Sequence, residues 1–200
     1  MTGAIRMRKL ILVKIVHTSA DMGSMGEGLI KEGMAKIGKE KWLENQRRIE
    51  NFWNELEKEI DALGLDYSRT RVYQDGLPCG GELGLRIVRE TAEKGSRNYQ
   101  IVRKLIERGT KIEATESPEL LRKEYEHIKA IIASTDEREK AEAMVKYEML
   151  KDKLIQERDA FIAKAIDATL QNDETGLLFI GAAHNLIPLL AKDIEVKSLD

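Results

Sequence analysis

The run Leu177-Leu-Phe-Ile180 lies between Gly176 and three small residues, Gly181, Ala182 and Ala183, and His184 follows at once. Four successive apolar residues without alternation suit a strand buried inside a sheet. The small residues leave room for another backbone or a ligand to come close. In an open α/β sheet, ligands gather just beyond the carboxyl ends of the strands. His184 stands where this strand runs out, so the other strands matter for what they deliver to the same place.

Leu10-Ile-Leu-Val-Lys-Ile-Val16 is rich in branched residues and predicts a first, mostly buried strand. It runs into His17-Thr-Ser-Ala-Asp21 and a glycine-spotted loop, Met22–Gly28. From about Lys39 to Leu63, the residues Trp42, Ile49, Phe52, Trp53, Leu56, Ile60 and Leu63 fall near one stripe at helical spacing, and Gly64 is a natural stop. That stripe reads as core. Thr70–Gln74 is a second strand, ending in Asp75 and the turn-rich Gly76–Gly81. Two helices, Glu82–Glu93 and Ser96–Arg108, follow. Lys111–Thr115 is a third strand, ending at Glu116. Ser117-Pro118 starts a helix that runs to about Ala133, because serine caps and proline suits the first helical position. Ser134 or Thr135 caps the next helix, which keeps a helical pattern to about Gln171. A helix begins near Asn185–Pro188, and Asp193–Ser198 alternates like an edge strand.

Strands and helices alternate, so the crossover rule predicts an α/β fold with a mostly parallel central sheet, flanking helices and a long helical arm or hairpin over about residues 118–171. The 200 residues suit a single domain over 1–200, with the arm as its extension. Composition excludes several classes. A net charge of −2 leaves no electrostatic footprint for nucleic acid. Nothing approaches the ~20 apolar residues of a membrane span, and Lys14 interrupts the first apolar run, so it does not read as a signal peptide. The one cysteine, Cys79, permits neither an intramolecular disulfide nor a zinc finger, and points to a reducing cytoplasm.

Each strand ends in a polar group: His17, Asp75, Glu116 and His184 in turn. In a parallel sheet these place two imidazoles and two carboxylates along one rim, with Glu113 competing with Glu116 for the third place. Two chemistries fit. The four residues can be ligands of a divalent ion such as zinc, manganese or iron, which makes a hydroxide near neutral pH. Alternatively, one histidine acts as general base, oriented by Glu116 or Asp75, and the other stabilises developing charge. The residues do not choose between them, and no His-Glu-x-x-His occurs. Other features carry blander readings. His127, among Glu124, Glu126 and Lys129, reads as a solvated surface residue. Gly23–Gly28 follows a strand but matches neither a dinucleotide fingerprint nor a P-loop. Cys79 has no helper for nucleophilic work. Arg158-Asp159 either orients a ligand or is a solvated helix pair.

The segment Arg158-Asp-Ala-Phe-Ile-Ala-Lys-Ala-Ile166, a short spacer and then Leu177-Leu-Phe-Ile-Gly-Ala-Ala-His184 resembles the closing segment of the TraB, Tiki, erythromycin-esterase and ChaN superfamily, in which an Arg-Asp helix precedes a strand ending in Gly-x-x-His. The opening strand ending in His17 is similar too, though Lys14 stands where that group has a glycine. The resemblance covers the C-terminal segment and, elsewhere, the order of elements. It implies an α/β core with the site at one sheet edge, and acidic residues from intervening strand ends, for which Asp75 and Glu116 match best. The group includes metallopeptidases, esterase-type hydrolases and a haem-binding protein. The expectation is a hydrolase of peptide or ester bonds, with or without a metal ion, acting on a small-molecule or peptide substrate. The alternative is a non-catalytic small-ligand or haem-binding regulatory protein using the same rim. The long helices offer a route to a homodimer.

Overall fold

The computed structural model describes residues 7–16, 18, 21 and 26–199. His17 and Gly23 therefore lie outside the described residues. Five strands, β1 (Arg8–Ile15), β2 (Thr70–Gln74), β3 (Lys111–Glu113), β4 (Thr175–Gly181) and β5 (Ile194–Leu199), form one sheet in the order β3-β2-β4-β1-β5. Every neighbouring pair is parallel, as the alternation of strands and helices predicts. Among the described residues, six helices connect and cover it: α1 (Gly26–Ile37), α2 (Lys39–Ala62), α3 (Gly81–Glu93), α4 (Arg97–Glu107), α5 (Pro118–Ala133) and α6 (Glu137–Thr169).

The sheet separates two cores because side chains alternate across a strand. On one face Ile11, Val13, Ile15, Val72, Leu177 and Phe179 pack with Trp53, Leu56 and Ile60 of α2, Val88 of α3 and Val102 and Leu105 of α4. On the other, Leu10, Leu12, Tyr73, Leu178 and Ile180 meet Ile162 and Ile166 of α6. The run Leu177–Ile180 is fully buried because β4 lies between β2 and β1 and serves both cores. Gly176 admits close packing there: a Cβ at this position would stand 2.8 Å from Leu10 Cδ1 and 3.1 Å from Tyr73 Cε2.

The arm forms as a hairpin. α5 has no buried residue, and α6 buries only its second half, from Leu154 onward. Ser117 caps α5 through the Leu120 N–H at 3.3 Å, with Pro118 in the first turn. The cap of α6 is Asp136, not Ser134 or Thr135. Its carboxylate accepts from the N–H groups of Arg138 and Glu139, both at 2.9 Å. A carboxylate adds a favourable charge at the positive helix end to the cap hydrogen bonds, and this outweighs a hydroxyl placed one or two residues earlier. The helix expected near Asn185–Pro188 is a single 3-10 turn, Ile187–Leu189. α1 begins within the expected loop, at Gly26. Phe52, expected in the core stripe, is 37% exposed and lies edge-on to the buried Trp53 at 5.3 Å. Among the described residues, no helix is long and apolar enough to cross a membrane.

Candidate functional site

Strand register brings the carboxyl ends of the central strands level. Lys14 pairs with Ile180, and Gln74 with Phe179. The first residue beyond β2 is Asp75, whose N–H still donates to Phe179 O at 2.9 Å. Beyond β3, the N–H groups of Thr115 and Glu116 both donate to Leu77 O at 3.0 Å, which fastens this corner to the loop after β2. Beyond β4, a turn closed by the His184 N–H to Gly181 O at 3.2 Å folds the imidazole back over the rim. Three of the four residues expected at strand ends thus meet. Asp75, Glu116 and His184 are buried, and each offers a ligand atom within 4.8 Å of the others'. His17 lies outside the described residues. Glu113 does not join them, because it pairs with Arg71 on β2, as does Glu174.

The residue that ties the cluster together is Arg158 of α6. Its Nε donates to both oxygens of Glu116, at 3.1 and 3.2 Å, its Nη2 to Glu116 and to Asp75 Oδ1 at 2.6 Å, and its Nη1 to Glu124 Oε2 at 2.6 Å. Glu124 of α5 also accepts from the Tyr147 hydroxyl at 2.9 Å. The second oxygen of Asp75 accepts the Gly181 N–H at 2.9 Å, so Asp75 is gripped from β4 and from α6. Asp159 completes the set: one oxygen lies 2.6 Å from His184 Nδ1, and the other accepts the Asn185 N–H at 2.9 Å. Both Arg158 and Asp159 are buried, which rules out the solvated-pair reading.

Sequence carried a signal for Arg158. It falls four residues after Leu154 and four before Ile162, in the buried stripe of α6, where a charge is costly unless paired. Nothing of the kind marked Glu124 or Tyr147. His127 is half-buried rather than solvated. Its ring lies 6.4 Å from that of Tyr147, and it lines a cavity of about 230 Å³ with Glu139, Glu142 and Lys146. Cys79 is half-buried and free.

The electrostatics follow from burial. Burial pushes the Glu116 carboxyl above its ordinary range, and this outweighs the opposing pull of the Arg158 hydrogen bonds and charge. For Arg158, burial opposes the charge, but the hydrogen bonds it donates to Glu116 and the charges of Glu116, Asp75 and Glu124 hold it protonated. Three carboxylates (Asp75, Glu116 and Glu124) contact the one guanidinium, and a fourth, Asp159, contacts His184. The cluster therefore carries a negative excess that protons or a bound cation must offset.

His184 shows where such a charge belongs. With Nδ1–H given to Asp159, a neutral ring presents the Nε2 lone pair, and Nε2 lies 3.6 Å from Asp75 Oδ2. A lone pair facing a carboxylate oxygen is repulsive until a proton or a metal ion lies between them. A carboxylate on the far ring nitrogen is also the arrangement that orients metal-ligating histidines. One imidazole nitrogen and two carboxylates can hold a metal ion, and they suit zinc, manganese or iron.

Fold and cluster together define a parallel α/β protein with a buried carboxylate–histidine centre beyond the ends of its middle strands. Comparison of the chain with protein-family models, with curated proteins and with solved structures returned no match.

Proposed function

We propose that the chain is a hydrolase of peptide or ester bonds whose reaction centre is Asp75, Glu116 and His184, and that these residues hold a divalent ion: zinc, manganese or iron. The observation that carries this reading is the orientation of His184: Nδ1 is fixed by Asp159, while Nε2 faces Asp75 across 3.6 Å. When bound, such an ion lowers the pKa of water and polarises a carbonyl. The chain's own groups have separable tasks. Asp159 keeps the His184 ring in one tautomer. Arg158 holds Asp75 and Glu116 in place and balances part of their charge. Glu116, its carboxyl raised by burial in the ion-free chain, exchanges its proton for the ion on binding. The similarity of residues 158–166 and 177–184 to the TraB, Tiki and ChaN group supports the same assignment.

Elemental analysis of the purified protein beside His184→Ala tests it, together with hydrolysis assays on ester and peptide panels. Metal in the wild type, its loss in the variant and turnover that follows the metal are expected. A metal-free wild type would overturn the metal assignment. Metal without turnover on any panel would leave a protein that binds a ligand at this rim without converting it.

A further inference from the structure

One cation at the same rim takes no part in the cluster. Lys14 is the last but one residue of β1 and is half-buried on the face that carries Leu10 and Leu12. Its ammonium donates to the backbone carbonyl of His184 at 3.2 Å. An ammonium has three N–H donors, and this single bond uses one. The other partly buried cations of the sheet and its neighbours are differently placed. Arg8 bridges Asp167 and Asp193, Arg71 bridges Glu113 and Glu174, Arg97 meets Glu50 and Glu57, and Arg158 meets three carboxylates. Among the described residues, Lys14 has no carboxylate partner. Within the turn it clasps, Ala182 and Ala183 are exposed and carry no polar side chain that could compete for the ammonium.

We propose that Lys14 binds an anionic group, a carboxylate or a phosphate, and so selects substrates that carry one next to the bond presented to Asp75, Glu116 and His184. The selection of substrates rests on the hydrolase reading, but the anion site does not need turnover. The reasoning is electrostatic. Four carboxylates make the neighbourhood negative, so an anion settles there only against a cation whose donors are still free. Lys14 meets that condition, whereas Arg158 is already held by three carboxylates. A charge-assisted hydrogen bond at a partly desolvated position also discriminates well against a neutral analogue.

The test is calorimetric titration of the full chain with sodium succinate and, separately, with inorganic phosphate at constant ionic strength. Wild type is compared with Lys14→Met, Lys14→Arg and Lys153→Met. Methionine keeps an aliphatic stem on the strand face, and Lys153 is an exposed control on the arm. Expected is binding of at least one anion by wild type, weakened about tenfold or more by Lys14→Met, as loss of a charged hydrogen bond implies. Lys14→Arg should retain most of it, and Lys153→Met all of it. The preferred anion separates carboxylate from phosphate recognition. No binding by wild type would overturn the proposal, as would equal binding by Lys14→Met or equal weakening in Lys153→Met. Lys14-dependent binding without turnover on any ester or peptide would remove the hydrolase reading and leave the anion site standing.

Discussion

Arg158 Nε stands 3.1 and 3.2 Å from the two oxygens of Glu116, a residue with no exposure to solvent, although the two are 42 positions apart in the chain. The pair joins the base of the helical arm to the corner after β3. Through Asp75 and Glu124 it also reaches the corner after β2 and the outer helix of the arm. Site and scaffold are therefore not separable here: the group that shapes the carboxylates also anchors α6.

Replacing that group should cost stability as well as function. Arg158→Met leaves Glu116 and Asp75 buried without their counter-charge, and breaking a buried pair in this way costs about 3–5 kcal/mol. Urea unfolding followed by circular dichroism measures it. A loss under about 1 kcal/mol would mean that the pair behaves as a surface salt bridge.

Glu116 predicts a pH dependence of definite sign. Its folded-state pKa is raised above the ordinary 4.5, chiefly by burial. The folded state therefore binds this proton more tightly than the unfolded chain does. The stability it contributes is present in full below the unfolded value and is lost as pH rises through the folded value. Denaturant midpoints measured upward from pH 4 should show this decline in the wild type and a flatter profile in Glu116→Gln, which cannot titrate.

Asp159→Asn removes the carboxylate behind His184, while its amide oxygen can still accept the Asn185 N–H. Removing the carboxylate behind a metal-binding imidazole typically costs about 10–100-fold in metal affinity or activity. The ¹⁵N shifts of the His184 ring report whether the Nδ1–H tautomer is lost at the same time. A variant with unchanged tautomer and unchanged affinity would count against an orienting role for Asp159.

Gly176→Ala tests the packing of the core that Leu10, Tyr73 and Leu170 share with α6. The added methyl would stand 2.8 Å from Leu10 Cδ1, and one extra methyl in a close-packed interior costs about 1–3 kcal/mol. Thermal unfolding of the variant measures the cost, with the carboxylate–histidine cluster left chemically intact.

Much of the architecture was legible residue by residue. β2 is Thr70–Gln74 and α5 is Pro118–Ala133, as the Asp75-Gly76 turn and the Ser117-Pro118 start predict. These boundaries are local events, written in turn and cap chemistry within a few residues. α1 was not legible, since its start in a glycine-spotted loop lacks such signals. The cap of α6 shows how close the alternatives lie, because Ser134, Thr135 and Asp136 are all good caps and the charge of the carboxylate separates them. The choice between Glu113 and Glu116 is not local: strand pairing hands Glu113 to Arg71, and the corner after β3 turns Glu116 inward.

The amino-acid sequence alone determined that strands and helices alternate, that the sheet is mostly parallel and that polar residues follow the strands at Thr70–Gln74, Lys111–Thr115 and Leu177–Ile180. Hydrophobic period, turn residues and caps act over short stretches of chain, and those are enough. Only the tertiary structure decided that Asp75, Glu116 and His184 meet, that Arg158 and Asp159 complete them from α6, and that Lys14 reaches the His184 carbonyl with no carboxylate partner among the described residues. Those relations join residues tens to more than a hundred positions apart. Strand order, register and the packing of α6 on the sheet set them, and no local pattern encodes these.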